Sequence, residues 1–163
     1  MTFVMVSLAA EGCSRIVEVL KHESSLISPA GGEKEVRDGS IVFEGVTFQY
    51  TSACEKPALM DINLEIASGQ TIGILGGTGA SKTSLIQLIS RLYDVTEGRV
   101  LVGGKDVREY DLEALRSQVA VVLQKNVLFS GTIKENLRWG NKEATDEELI
   151  HVCRLAQAHE FIE

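Results

Sequence analysis

A chain of 163 residues with 44% hydrophobic and 24% charged side chains can bury a sizeable core within one domain. Its net charge of −7 argues against a nucleic-acid surface but not against a phosphate ligand, because screening confines charge effects to about 8 Å at physiological salt. Cys13, Cys54 and Cys153 are too few and too scattered for a disulfide framework or zinc site, which favours a reducing compartment, and His22, His151 and His159 lack metal-ligand spacing.

The opening stretch "MTFVMVSLAA" is about half the roughly 18 apolar residues that span a bilayer and lacks the basic start of a signal peptide. On its own it reads as part of a core helix, a disordered end, or the tail of a membrane helix. Ile16, Val17, Val19 and Leu20 carry helical spacing to about residue 22. The Ser-, Pro- and Gly-containing run that follows, up to Ser40, has no periodicity and reads as a linker.

Residues 41–50, β-branched and aromatic, predict a strand. Residues 60–66 alternate, with Met60, Ile62, Leu64 and Ile66 on one face and Asp61, Asn63 and Glu65 on the other, so the two pair as an antiparallel unit. "TIGIL" (71–75) is apolar on both faces, as a buried central strand would be. Leu85, Ile86, Leu88, Ile89 and Leu92 then form one stripe of a helix. "GRVLVGGKDV" reads as strand, turn and strand start, and "DLEALRSQ" as a short helix capped by Asp111. "VAVVLQ" (119–124) predicts a second fully apolar strand. Thr132 with Glu135, and Thr145 with Glu148, are capping boxes opening two further helices, the first stopped by Gly140.

Between strand and helix lies "GGTGASKTS" (76–84). A glycine-rich loop there can aim successive N–H groups at an anion, at the positive end of the helix dipole. In the pattern GxxxxGK(S/T) the lysine reaches the β- and γ-phosphates and the hydroxyl holds Mg²⁺. Gly76, Gly79, Lys82 and Thr83 match; Ser81 stands where glycine is expected. The candidate cradle is Gly76, Gly77, Thr78, Gly79, Ala80, Ser81, Lys82, Thr83 and Ser84.

Beyond this loop, "FEGVTFQY", "ALMDINLEIASGQTIGILGGTGASKTSLIQLISRLYDVTEGRVLVGGKDV" and "VAVVLQKNVLFSGTIKENL" closely resemble, in order, the nucleotide-binding domain of ATP-binding cassette exporters. The resemblance implies an α/β fold: a P-loop NTPase-type core sheet, an antiparallel β flap and the start of an α-helical subdomain, incomplete at the C-terminus. It implies four parts: 1–24, the cytoplasmic end of a last transmembrane helix; 25–40, a linker; 41–124, the ATP-binding core; and 125–163, the Q-loop continuation and start of the helical subdomain. Tyr50 matches the adenine-stacking aromatic and Gln124 the Q-loop glutamine, so Thr83 and Gln124 are the expected Mg²⁺ contacts. ATP and Mg²⁺ are the implied cofactors. The implied partners are a transmembrane domain and a second nucleotide-binding domain, at the cytoplasmic face of the cell membrane.

Hydrolysis in that family also needs an apolar strand ending in an Mg²⁺-holding Asp, a following Glu, a His near the γ-phosphate and an LSGGQ-type segment. Asp61 belongs to an alternating polar face, and "ASGQ" (67–70) sits in a turn before the loop, so neither qualifies. Phosphoryl transfer depends on several such parts at once, so this polypeptide alone is expected to bind ATP with negligible hydrolysis, and to expose an apolar edge. Two alternatives stand beside this reading: another P-loop NTPase, although no guanine-reading Asn/Thr-Lys-x-Asp segment is present, and a folded chain that binds no nucleotide.

Overall fold

A computed structural model describes residues 2–21, 24–51, 56–125 and 127–162, with backbone only for 2–9; His22 and Cys54 lie outside the described residues. The chain forms two compact units, Met1–Ala120 and Val121–Glu163.

In the first unit, helix α1 (Thr2–Lys21) precedes four strands: β1 (Ile41–Phe48), β2 (Leu59–Ile66), β3 (Glu97–Val102) and β4 (Lys105–Asp106). The sheet order is β2-β1-β3-β4, antiparallel throughout. Helix α2 (Lys82–Ile89) lies between β2 and β3 in sequence, and α3 (Leu112–Gln118) follows a 3-10 turn. Phe43, Val46, Phe48, Leu59, Leu88, Val100, Val102, Val107, Tyr110 and Leu115 make the core. Tyr110, 1% exposed, satisfies its hydroxyl by donating to the Val102 carbonyl at 2.8 Å. Asp111 caps α3 as expected, its carboxylate accepting from the Ala114 N–H at 3.0 Å. That bond, with a further one from Ser28, holds its pKa below the usual carboxylate range.

The β1–β2 pairing departs from simple alternation. Phe43 faces Leu64 and Val46 faces Ile62, so β1 bulges at Glu44 and Gly45. Phe48 then faces Leu59, so β2 bulges in turn. Gly45 at φ 54 and Asp61 at φ 49 supply the left-handed turns these bulges need. The second bulge corrects the expected face of Met60: it points out, 70% exposed, and Leu59 takes the inward place. Asn63 braces both irregularities, accepting from Gly45 N at 2.8 Å and donating to the Asp61 carboxylate at 2.9 Å.

Helix α2 is shorter than its apolar stripe. It stops at Ile89, Arg91 adopts φ 48, and Arg116 of α3 donates to the Ser90 and Arg91 carbonyls at 3.2 and 2.7 Å. Leu88 is buried, but Ile86 is exposed and Leu92 lies beyond the helix. Part of the run read as a linker is sewn to the core. Glu33 exchanges backbone bonds with Glu109 and Asp111 and receives the Lys105 ammonium at 2.6 Å, while Ser28 accepts from Leu112 N.

The stretches 71–75 and 119–124 are not strands among the described residues. Both edges of β1 are taken by β2 and β3, and among the described residues neither apolar stretch is one of the sheet's strands. Leu75 is 96% exposed and Val122 90%.

The second unit holds α4 (Ile133–Leu137), α5 (Asp146–Leu155) and α6 (His159–Ile162). Both capping boxes form as expected. Helix α4 ends at Leu137, before Gly140. Asp146 joins α4 to α5 by accepting from Lys134 and Arg138 at 2.5 and 2.9 Å. Leu149 and Cys153 are buried on α5, and Phe129 stacks on Trp139 with ring centroids 4.5 Å apart.

Candidate functional site

The loop from Gly76 runs exposed into α2, whose first residue is Lys82. A turn closes within it, Ala80 N donating to the Gly77 carbonyl at 3.3 Å, and Gly79 takes φ 83. Ser81 is the N-cap of α2 at φ 56, ψ 22, in the left-handed region, and its hydroxyl makes no capping bond. The glycine of the usual pattern is therefore replaced at a position whose backbone favours glycine.

Lys82 folds back over the loop, its Nζ donating to the Gly76 and Gly77 carbonyls at 2.8 and 2.7 Å. A cation is thus held above the N-terminus of an eight-residue helix, where unpaired N–H groups and the helix dipole already favour an anion. Gly79, Ala80, Ser81, Lys82, Thr83 and Ser84 line a concavity of about 290 Å³. Thr83 is exposed on the first turn, and Ser84 beside it is buried.

Tyr50 joins this loop. It lies just past β1, and its hydroxyl is 2.7 Å from the Ser84 hydroxyl. Its ring meets Phe48 edge-on at 4.7 Å and Tyr93 edge-on at 5.1 Å, and it remains 48% exposed. Tyr93 lies outside the apolar stripe that ends at Leu92 and carries no signal in the sequence, because the left-handed Arg91 ahead of it is invisible to periodicity. The candidate residues of the first unit, Tyr50 and 76–84, are therefore brought together. Gln124 belongs to the second unit, exposed and outside any strand.

The ABC transporter family matches residues 59–162, more than half of the chain. The "Putative multidrug export ATP-binding/permease protein" of Staphylococcus aureus strain NCTC 8325 / PS 47 is 44% identical over 128 residues, as is that of strain COL. The match covers 78% of this chain but 22% of each relative, so the chain spans about a fifth of their length. Among solved structures, a bacterial Atm1-family ABC exporter with ATP bound superposes with a TM-score of 0.85 at 25% identity, over 99% of this chain and 28% of that one. Mixed helix and strand with an antiparallel sheet is the fold of that neighbour's nucleotide-binding domain, and the chain belongs to the ABC transporter family.

Proposed function

We propose that this chain binds Mg²⁺-ATP as the nucleotide-gripping part of the ATPase domain of an exporter, coupled to transport through a transmembrane domain and a second nucleotide-binding domain. The observation that carries the reading is the Lys82 ammonium drawn over the Gly76 and Gly77 carbonyls at the start of α2. That cation and the N–H groups of the first turn of α2, residues 82–84, offer a polyphosphate charge neutralisation and directed hydrogen bonds together. Tyr50 offers an exposed aromatic face close to the same helix. The Thr83 hydroxyl is a hard oxygen donor of the kind Mg²⁺ takes, and Gln124 is the proposed second contact. Bound Mg²⁺ would neutralise charge on the β- and γ-phosphates.

The division of labour follows from these residues. Residues 76–84 bind and orient the phosphates, Tyr50 the base, and residues 125–163 begin the part that meets the transmembrane domain at the cytoplasmic face. No apolar run in these 163 residues leads into an Asp–Glu pair, and no LSGGQ-type segment occurs in them, so turnover by this polypeptide alone is expected to be negligible.

Titration with a fluorescent ATP analogue, with and without Mg²⁺, tests the reading. Saturable, Mg²⁺-enhanced binding that Lys82→Ala abolishes is expected. Absence of saturation in the parent chain would overturn it, and GTP competing as well as ATP would remove the adenine role of Tyr50.

A further inference from the structure

The Tyr50 ring is restrained at three points. Two are edge contacts, with Phe48 at the end of β1 and Tyr93 beyond α2. Both hold the ring by its apolar edges and leave the phenol oxygen at its far end to a polar partner. The third is directional: the 2.7 Å bond between the Tyr50 and Ser84 hydroxyls. Ser84 is 5% exposed, so its hydroxyl has little access to water that could replace a lost partner. Ser84 also lies on the first turn of α2 and lines the concavity of the phosphate loop.

We infer that Ser84 is a positioning residue for the base platform: through its bond to Tyr50 it ties the aromatic surface for a nucleoside base to the helix turn behind the phosphate loop. This rests on the nucleotide-binding reading above and adds a coupling to it. Either hydroxyl can donate in this bond, and in both cases it links the ring to the helix turn. The ring and the loop then move as one unit, and a ligand carrying both base and phosphates gains from a geometry that a ligand carrying phosphates alone does not use.

A double-mutant cycle with two probes tests this. Affinities for Mg²⁺-ATP and for Mg²⁺-tripolyphosphate, which has no base, are measured for the parent chain, Tyr50→Phe, Ser84→Ala and the double variant. Tyr50→Phe keeps the ring and removes only the bond. Each single change is expected to weaken ATP binding about three- to ten-fold, the equivalent of one ordinary hydrogen bond, with the double variant no weaker than the poorer single. For tripolyphosphate no such coupling is expected.

Losses that multiply for ATP overturn the inference, and so does equal coupling for tripolyphosphate, which would mark a purely structural bond. Should Ser84→Ala not fold, Tyr50→Phe alone decides: the ratio of ATP to tripolyphosphate affinity falls about three- to ten-fold, or the inference fails. A parent chain that binds both probes equally overturns the coupling and leaves the phosphate loop standing. One that binds neither overturns the nucleotide reading and the inference with it.

Discussion

Ser81→Gly puts the departure from the usual loop pattern to a quantitative test. Ser81 sits at φ 56, ψ 22, where an L-residue pays about 1–2 kcal/mol relative to the right-handed region. Its side chain makes no capping bond, so its removal forfeits no hydrogen bond at the helix start. Glycine adds unfolded-chain entropy that offsets about 0.4–1 kcal/mol of the gain. The net expectation is a stabilisation of about 0.5–1 kcal/mol, or a rise in Tm of about 1–4 °C for a chain of this size. Ser81→Ala retains the strain and should leave Tm unchanged; Ser81→Val adds β-branching at positive φ and should lower it. Thermal unfolding followed by circular dichroism measures all three, and the same preparations are titrated with ATP. If the strained turn also limits the grip on phosphate, the glycine variant binds ATP more tightly, by up to about ten-fold for 1.4 kcal/mol. A glycine variant that melts below the parent, or an alanine variant that gains as much, would refute the reasoning.

Three further outcomes are expected. Gly98→Ala would set a Cβ 2.4 Å from the Glu44 and Gly45 carbonyl oxygens at φ 78, so a loss of about 3 kcal/mol or failure to fold is expected; denaturant unfolding with an unchanged midpoint would contradict the register at this bulge. Asp111→Ala removes the acceptor for Ala114 N and should lower stability by about 1 kcal/mol in the same assay, with Asp111→Asn recovering most of it. Glu33 is held below the usual carboxylate range by the Lys105 hydrogen bond, and Asp146 by that of Lys134. Their folded pKa values are depressed, so their contribution is complete above the unfolded value and is lost as pH falls below about 4. Tm should therefore decline from pH 5 towards pH 3, less steeply in Lys105→Ala; equal slopes would show that this pair contributes nothing to acid sensitivity.

Features of this fold that depend on neighbours in sequence were legible in it. The Asp111 cap, the two capping boxes and the Gly103–Gly104 turn all rest on residues within a few positions of one another, and all formed. What escaped depends on distant residues. The end of α2 is set by Arg116, which binds carbonyls 25 and 26 positions earlier, so the apolar stripe continuing to Leu92 gave no warning. Met60 was misplaced because alternation predicts a face only in an unbroken ladder, and the bulge at Asp61 arises from pairing with β1. Glu33 and Ser28 looked like linker residues because the atoms they bind lie 72 to 84 positions away in sequence.

The same distinction governs the two apolar stretches. Residues 71–75 and 119–124 carry the composition of strands buried on both faces, and that composition states a need for cover without naming what supplies it. In the described residues their side chains stay open: Leu75, Val122 and Leu123 are 96%, 90% and 60% exposed. Among the described residues 71–75 is not one of the strands of the antiparallel sheet β2-β1-β3-β4. The phosphate loop shows the opposite case. Its cation is positioned by carbonyls five and six residues away, so it closes without help from any strand alongside 71–75. Affinity for phosphate should therefore depend chiefly on residues 76–84, whereas discrimination for the base should depend on Tyr50, which only the folded sheet brings to Ser84.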